Sequence, residues 1–462
     1  MRSVVRNLIA GSTLCMLVVQ AASGAGDGSE GAQQMLGRGA DPHGAASFAH
    51  PLPTPPAELP IEVYQERRAR VMAALGGCAA VISSQGQVSG ITEDYRQDSD
   101  FFWLTGINEP DAHLVLQPNS AYRKVILVLK PRDPEAERWT GPRDPVSPDL
   151  LKKYGVDRVR RGTPDDVLVN AGLHHDCIAV IAPPSETKEE RGDAQLATRI
   201  AGQFGLKTEY RRGLLGDLRA AHSEAELARM ERALAITALG HDIVARATVA
   251  GVSERDVQTQ LEFTFYAHGA TGLSYSSIVG SGPNGAVLHW DQNTRLLQDG
   301  DLVVVDAAAE YGRYASDITR TYPVSGHFTM EQAEVYRAVY QAQEDIFSAI
   351  KPGVTMADLQ QVAEESLRRS GHLADFIHGF GHFVGLDVHD AGDYERPIPV
   401  GAVFTVEPGI YLPARGFGVR IEDEVLMTDK GYRLLSKDIP RKLEDVEAWV
   451  ARERPAPRPP GP

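Results

Sequence analysis

Four acidic residues, arranged as two pairs across two predicted turns, constrain this chain more than any other feature of its sequence. Asp306 and Asp317 stand on either side of a Tyr-Gly pair, and Glu407 and Glu422 stand on either side of Pro-Ala-Arg-Gly. Apolar and β-branched runs flank both turns, which is typical of β-hairpins. In a hairpin of symmetric register, the carboxylates of a pair lie opposite each other with Cβ atoms roughly 4.5–5.5 Å apart. The proline after Glu407 leaves room for a bulge that would shift the second register.

Like charges placed opposite each other destabilise a sheet, so these pairs need a counter-charge. Any one of the four acids, taken alone, would be interpreted as a solvated surface residue. Four acids in two similar hairpins favour a metal site instead, in which two divalent cations neutralise the four carboxylates. Oxygen-rich ligation with a single imidazole suits Mn²⁺ better than it suits a thiolate-type zinc site.

The segment IHGFGHFVGLDVHD supplies the imidazoles. It contains His378, His382 and His389, three of the 14 histidines of the chain. Gly379 and Gly381 make the segment a poor helix. We therefore expect a loop that enters a strand and presents its histidines to one cavity.

The stretch from about 220 to 440 contains an internal repeat. Ser223-x-x-Glu and Thr329-x-x-Gln are both capping boxes, which mark helix starts. Each is followed by a long helix, a second helix and strands, and GDLVVVD before Asp306 resembles GAVFTVE before Glu407. Equivalent landmarks in the two halves, such as His289 and His389, are about 100 residues apart. The pattern predicts a pseudo-twofold α+β domain built by duplication.

Residues 61–215 are predicted to form a separate, smaller α/β domain. VYQERRARVMAAL reads as a helix, and CAAVISS, KVILVLK and CIAVIAPP read as buried strands. Cys78 and Cys177 begin two of these strands. A disulfide between them is possible, but two buried thiols are the commoner outcome for such cysteines.

The first 22 residues are predicted to be a secretory signal peptide. Arg2 and Arg6 precede an apolar stretch from Leu8 to Val19, and small residues follow. Residues 23–60 read as a flexible leader rich in Gly, Ala, Ser and Pro, and residues 445–462 as a disordered tail. We therefore expect an exported protein, periplasmic or secreted. The apolar stretch is shorter than the roughly 20 residues of a membrane-spanning helix, and we expect no membrane partner.

The net charge argues against a nucleic acid partner, and the residues after one glycine motif argue against a dinucleotide ligand. The formal charge of −15 repels phosphate backbones, so we expect no nucleic acid partner. Gly280-Ser-Gly-Pro-Asn-Gly matches the dinucleotide-binding pattern, but that loop must open a helix. Here AVLHW, which is strand-like, follows, so we predict a turn between strands.

At this point the chain resembles a known family. YRQDSDFFWLTG and NEP in the first domain, with IVGSGPNGAVLHW, VVVDAAAEY, SDITRTYPV, HGFGHFVGLDVHD, VEPGIY and VRIEDEV in the second, are similar to the aminopeptidase P (Xaa-Pro aminopeptidase) family of proline-specific metallopeptidases. The resemblance covers about 62–440. It implies an N-terminal α/β domain followed by a duplicated α+β catalytic domain of the pita-bread fold.

The resemblance also implies a role for each site residue. Asp306 and Asp317 bind one metal, Asp317 and Glu422 reach both or bridge, and His382 and Glu407 complete the ligand set of the second metal. On physical grounds Glu407 is placed to accept the proton of the attacking water, and either His378 or a relay through Glu407 is the candidate acid for the proline nitrogen. The remaining residues line the substrate site: His289, His378 and His389 assist proton transfer or stabilise the oxyanion, Arg420 steadies the carboxylates, and Tyr275 and Tyr411 lie in or behind the pocket.

Three functions are compatible with these residues. The first is an aminopeptidase that acts on peptides with proline in the second position, and the YRQDSDFFWLTG segment favours it. The second is a prolidase, which cleaves only Xaa-Pro dipeptides with the same metal ligands. The third is a catalytically silent binding module, which is disfavoured because all five ligand positions are filled. We also expect a homo-oligomer, a dimer or a tetramer.

Overall fold

A computed structural model describes residues 52–84, 87–89, 94–181, 192–211 and 213–451. The predicted signal peptide, the leader as far as residue 51 and the end of the tail from residue 452 lie outside the described residues. Among the residues described, no helix has both the length and the apolar content that spanning a bilayer requires.

The first domain is a mixed sheet covered by helices. Its helices are α1 (Ile61–Leu75), α2 (Ser99–Thr105), α3 (Glu137–Thr140), α4 (Pro148–Tyr154), α5 (Asp165–Leu173), α6 (Gly192–Phe204) and α7 (Leu214–Arg219). Its strands are β1 (Cys78–Ser83), β2 (Gln87–Ser89), β3 (Asp94–Arg96), β4 (His113–Leu116), β5 (Val125–Leu129), β6 (Arg158–Arg161), β7 (Cys177–Val180) and β8 (Thr208–Tyr210). Six strands form one sheet in the order β6-β5-β4-β1-β7-β8. β1, β5 and β7 are buried throughout, because helices cover both faces of the sheet.

Cys78 and Cys177 form a disulfide, so the expectation of two free thiols is wrong. β1 and β7 are parallel neighbours, and their register pairs Cys78 with Cys177, with the two Cα atoms 4.5 Å apart. The two cysteines are separated by 99 residues. The apolar runs that follow them show that both strands are buried but not that the strands are adjacent, which is why the sequence alone did not decide the question.

The second domain repeats one arrangement twice. The first half contains α8 (Glu224–Ala247), α9 (Glu254–Ala267), β9 (Gly272–Leu273), β10 (Ile278–Ser281), β11 (Leu302–Asp306), β12 (Ala309–Glu310) and β13 (Thr319–Pro323). The second half contains α10 (Met330–Ala349), α11 (Met356–Arg369), β14 (Phe383–Val384), β15 (Val403–Val406), β16 (Gly409–Leu412), β17 (Phe417–Arg420), β18 (Asp423–Thr428) and β19 (Gly431–Leu434), and α12 (Leu443–Val450) follows. The sheets are ordered β10-β11-β13 and β14-β15-β18-β19. Both predicted capping boxes are present, and the duplicated fold is confirmed.

The register of the second acidic pair is confirmed. Gly409 pairs with Arg420 on one side of the pair, and Val406 pairs with Asp423 on the other. Both ladders keep the same register, so Glu407 stands opposite Glu422 without a shift at the intervening proline.

The register of the first pair differs from the prediction, because Asp306 pairs with Thr319 and not with Asp317. The turn is centred between Gly312 and Arg313, whose φ values are 56° and 76°. A two-residue hairpin turn with positive φ at both central residues matches the twist of the strands. The turn centre therefore lies one residue later than predicted, which moves the partner of Asp306 by two positions.

Two expectations about chain segments are corrected. Residues 445–451 are not disordered, because Leu443, Val446 and Trp449 of α12 recur at helical spacing and are buried. The Trp449 indole N–H also donates to Asp242 of α8 at 2.9 Å. Most of Gly280-Ser-Gly-Pro-Asn-Gly itself forms a 3₁₀ turn over Gly282–Ala286, and no strand follows over 287–290, so the strand expected at AVLHW is absent from this described part.

The described end of the leader lies against α8. Arg232 donates to the Pro53 carbonyl and Arg229 donates to the Ala57 carbonyl, each at 2.5 Å, and Leu52 packs on the core of the second domain. For residues 52–60 the description as a flexible leader is therefore wrong. The two arginine hydrogen bonds and the packing of Leu52 all involve residues distant in sequence, so the Pro-rich composition gave no sign of them.

Candidate metal centre

A cavity of about 550 Å³ lies where the two halves of the second domain meet. Ten of the predicted site residues line it: Tyr275, His289, Asp306, Asp317, His378, His382, His389, Glu407, Arg420 and Glu422. Tyr411 lies behind its wall, in contact with His378 and Arg420. The structure thus brings together residues that are more than 130 positions apart in the chain.

Backbone contacts across the two halves place the acids of one half beside those of the other. The Glu422 N–H donates to the Thr319 carbonyl at 3.1 Å, and the Arg320 guanidinium donates to the Glu422 carbonyl at 2.5 Å. Arg320 also forms a fully buried ion pair with Asp423 at 2.7 Å. The Gln343 side chain of α10 donates to the carbonyls that precede Glu407 and Glu422. These contacts fix the strand ends that carry the acids.

The acids from the first half have defined partners on one side only. Arg420 donates to Oδ2 of Asp306 at 2.6 Å, whereas Oδ1 of Asp306 is buried and has no hydrogen-bond partner among the described residues. Tyr275 donates its hydroxyl to Oδ1 of Asp317 at 2.5 Å. Oδ2 of Asp317 lies 3.3 Å from Nε2 of His382. The partners hold each carboxylate in place and leave a second oxygen directed into the cavity.

The acids from the second half surround the same imidazole. Nδ1 of His382 donates to its neighbour's carbonyl, that of Phe383, at 3.1 Å. This hydrogen bond directs Nε2 of His382 towards Asp317 and towards Oε1 of Glu407, which is 3.5 Å away. Oε2 of Glu422 accepts from the Thr319 hydroxyl at 2.7 Å. Both carboxylates are thereby anchored next to the ring.

Burial raises the pKa values of three of these carboxyl groups. For Asp306 the burial outweighs the favourable charge of Arg420, and Asp317 adds to the rise in pKa. For Glu407 burial, together with the neighbouring acids, raises the pKa to about 7. The pKa of Glu422 lies well above its usual range, because of burial first and then the charges of Asp317 and Glu407. The cavity therefore disfavours the simultaneous ionisation of its acids.

The donor set fits divalent cations. Nε2 of His382, one oxygen of Asp317 and one oxygen of Glu422 all lie within 4.8 Å of one another. Among the described residues that line the cavity, Arg420 is the only arginine or lysine, so one guanidinium faces the four converging carboxylates, while a fifth acid of the lining, Asp291, is exposed. Burial lowers the pKa of His382, but Asp317 and Glu407 raise it more, to about 9. A cation held by Nε2 and the acids would supply the positive charge that these groups favour.

The other predicted histidines differ in their surroundings. Nε2 of His378 accepts from the Tyr411 hydroxyl at 2.9 Å, and that oxygen accepts from Arg420 at 2.7 Å. Burial, reinforced by the charge of Arg420, lowers the pKa of His378 to about 4. The ring of His389 lies 4.0 Å from that of His382, and burial lowers its pKa as well. His289 is exposed at the cavity rim.

Some residues of the site were not predicted from the sequence. The Thr405 hydroxyl accepts the His382 N–H at 3.0 Å, and Oε1 of Glu424 accepts the Asp317 N–H at 2.6 Å. Oε2 of Glu424 is buried without a hydrogen-bond partner among the described residues, and burial raises the pKa of this carboxyl well above its usual range. Tyr394 lines the cavity. The spacing of Glu422 and Glu424, two residues apart at the start of β18, was the available signal for Glu424, whereas the role of Thr405 depends on tertiary contacts.

Comparison with known proteins agrees with this site. Residues 228–429 match metallopeptidase family M24, and residues 64–168 match the aminopeptidase P N-terminal domain. The chain is 34% identical to the Xaa-Pro aminopeptidase of Haemophilus influenzae over 430 residues, which are 85% of this chain and 97% of that protein. It is 33% identical to the Xaa-Pro aminopeptidase of Escherichia coli over 439 residues, 85% of this chain and 98% of that protein.

Solved structures of aminopeptidase P enzymes are also similar to this chain over most of its length. The aminopeptidase PepP of Pseudomonas aeruginosa is similar with a TM-score of 0.74 and 31% identity, over 85% of this chain and 98% of that chain. Zn-substituted E. coli aminopeptidase P in complex with product has a TM-score of 0.75 and 30% identity, over 86% of this chain and 100% of that chain.

A pair of glycines offers a test of how the site is built. A Cβ at Gly381 would lie 2.1 Å from the Thr405 carbonyl oxygen, whereas a Cβ at Gly379, in the same loop, would have nothing nearer than 4.0 Å. We expect Gly381→Ala to displace His382 and to lower metal affinity by about tenfold or more. Gly379→Ala is the matched control and should bind metal as the unmodified protein does. Metal titration of both variants makes the comparison, and equal affinities would contradict the account.

Proposed function

The chain belongs to the aminopeptidase P family of metal-dependent hydrolases, and we propose that it releases the N-terminal residue of peptides in which proline is second. The observation that carries the proposal is the cavity, in which four carboxylates and one imidazole from both halves of the second domain converge. The relatives from H. influenzae and E. coli, which align with this chain over nearly their whole length, are named Xaa-Pro aminopeptidases. A prolidase function is not favoured by these relatives.

We propose that the cavity holds two divalent cations, with Mn²⁺ as the native metal. Asp306, Asp317, His382, Glu407 and Glu422 would hold them. Such ions supply Lewis-acid chemistry, since they polarise a carbonyl and lower the pKa of water towards neutrality. Oxygen-rich ligation with one imidazole supports a hard or borderline ion of this kind.

The protein's own residues then move the protons. Glu407 lies in the cavity wall beside His382 and is placed to accept the proton of the attacking water. His289 at the rim and His389 beside His382 line the space that the carbonyl before proline would occupy. Either imidazole can donate a hydrogen bond to the oxyanion, which such donors stabilise.

Proton delivery to the proline nitrogen is assigned to Glu407. His378 is held neutral, because its pKa is about 4 and its Nε2 accepts from Tyr411. Nδ1 of His378 lies 2.7 Å from the Gly379 carbonyl, to which it donates. Both nitrogens are thus engaged, which supports a relay in which Glu407 returns the proton that it took from water. His378, Tyr411 and Arg420 then act by orienting the cavity wall.

The cavity also explains why the enzyme would act only at the N-terminal end of a peptide. A substrate's free α-amine can bind a metal ion as a neutral ligand, or can pair as an ammonium with an acidic group of the cavity. An acylated amine can do neither. We therefore assign the recognition of the chain end to the metal ions and acidic groups of the cavity.

The substrate test compares four peptides with the Mn²⁺-loaded protein: Xaa-Pro, Xaa-Pro-Yaa, Xaa-Ala-Yaa and N-acetylated Xaa-Pro-Yaa. We expect release of Xaa from Xaa-Pro-Yaa, with the proline-free and acetylated peptides cleaved at least about 100-fold more slowly. Product release is followed by chromatography. Cleavage of the dipeptide alone would establish the prolidase alternative instead, and cleavage of none of the four would contradict both.

We further propose that the protein is exported. Arg2, Arg6 and the apolar stretch that follows them are typical of a signal peptide. The disulfide between Cys78 and Cys177 supports this location, because such bonds persist in oxidising compartments and are rare in the cytosol.

Export is tested by expressing the full chain with a C-terminal tag in a bacterial host. We expect a processed chain outside the cytoplasm that has lost about 22 residues, with no free thiol after denaturation. A Leu14→Arg/Leu17→Arg variant, which interrupts the apolar stretch, should stay in the cytoplasm. An unprocessed cytoplasmic chain with reduced cysteines would contradict the proposal.

A further inference from the structure

The loop that carries His389 is closed by a single aspartate. We call residues 385–391 the His389 loop. Oδ2 of Asp390 accepts the Leu386 N–H at 2.9 Å, and Oδ1 accepts the Ala391 N–H at 2.7 Å. A Cβ at Gly385 would lie 1.9 Å from Oδ2 of Asp390, so the loop fits closely around this carboxylate. Within the loop, Val388 and His389 are the residues that line the cavity.

A buried guanidinium ties this loop to the first domain. Arg219 ends α7, in the segment that joins the two domains, and its side chain is 6% exposed. Its Nη1 donates to Asp100 of α2 at 2.6 Å, and its Nη2 donates to Asp390. Nη2 also lies 3.4 Å from Oδ2 of Asp387. One planar fork thus joins a carboxylate of the first domain to two carboxylates of the His389 loop.

Two more side chains of the first domain hold the same loop. The Ser99 hydroxyl donates to Oδ1 of Asp387 at 2.7 Å. Arg96 donates to the Leu386 carbonyl at 2.8 Å and pairs with Glu310 of the second domain. The segment that contains Arg96, Ser99 and Asp100 is therefore built against the back of the loop whose front faces the cavity.

We propose that Arg219 is a positioning residue for the reaction: with Asp100 it fixes Asp390, and through Asp390 it fixes the place of the His389 imidazole. The proposal rests on the proposed role of His389 in the cavity. It also gives the first domain a part in the chemistry, although the first domain contributes no lining residue among those described.

The substitution Arg219→Lys tests whether the guanidinium must bind both carboxylates at once. Lysine keeps the charge, but its single ammonium cannot donate to two carboxylates in the planar geometry of a guanidinium. Asp100 or Asp390 would then lose the guanidinium that balances its charge, which is unfavourable for a buried carboxylate. The His389 loop must then relax to solvate that carboxylate. Even a small displacement of the His389 imidazole would lower the catalytic rate.

The experiment measures kcat and KM for Xaa-Pro-Yaa with Arg219→Lys, His389→Ala and the double variant, all loaded with Mn²⁺. We expect Arg219→Lys to lower kcat by about tenfold with little change in KM, and His389→Ala to lower it by about 100-fold or more. In the His389→Ala background, Arg219→Lys should change kcat by less than about twofold, because the two act through one imidazole. Arg67→Lys is the matched control: Arg67 is buried and pairs with Glu226 of the second domain at 2.7 Å, and its kcat should be unchanged.

Each outcome separates the two proposals. Activity of His389→Ala equal to that of the unmodified protein would overturn the role of His389, and with it this inference. A normal kcat in Arg219→Lys, or the same loss in both backgrounds, would overturn the positioning role alone. If Arg219→Lys does not fold, Asp100→Asn removes the charge from the other end of the fork, and the same cycle with His389→Ala decides the question.

Discussion

Electrostatic repulsion among four buried carboxylates is the constraint on which the rest of the structure depends. Asp306, Asp317, Glu407 and Glu422 face one guanidinium in one cavity, and burial raises the pKa values of three of them. Each acid is fixed on one side by a donor from the protein, such as Arg420 on Asp306. The other oxygens converge, and only positive charge from outside the chain makes that convergence favourable. Metal binding is therefore expected to stabilise the fold as well as to supply its chemistry.

Duplication explains how a chain can assemble such a site. Each half offers a strand end and a hairpin that carry acids, and neither half contains a complete set of ligands. The halves are joined next to the acids, by the Glu422 N–H on the Thr319 carbonyl and by the buried pair of Arg320 and Asp423. The cavity can form only when the two halves dock. The first domain adds a further contact, because Arg219 joins Asp100 of that domain to Asp390 of the His389 loop.

The sequence predicted those features that follow from local pattern. The register of Glu407 and Glu422 was predictable because the turn lies midway between them, and the ladders on both sides of the pair keep that register. The register of Asp306 was not, because Arg313 adopts a left-handed conformation that sequence statistics assign to glycine or asparagine. The disulfide and the contacts of Thr405 depend on which strands become neighbours. The helix that contains Trp449 was missed because the Pro-rich residues after it dominated the composition of the tail.

The central claim is that bound cations offset the repulsion among the buried acids. One variant tests it, because its effect on the unfolding temperature should change sign when the metal is removed. The unfolding temperature of Glu422→Gln is compared with that of the unmodified protein at pH 8, with Mn²⁺ and after removal of metal by a chelator. With Mn²⁺ the variant should be the less stable of the two, because it has lost a ligand. After metal removal it should be the more stable, because at pH 8 the buried Glu422 carboxyl, whose pKa is raised, must either repel its neighbours or take up a proton, and glutamine does neither. Destabilisation by the same amount in both states would contradict the account.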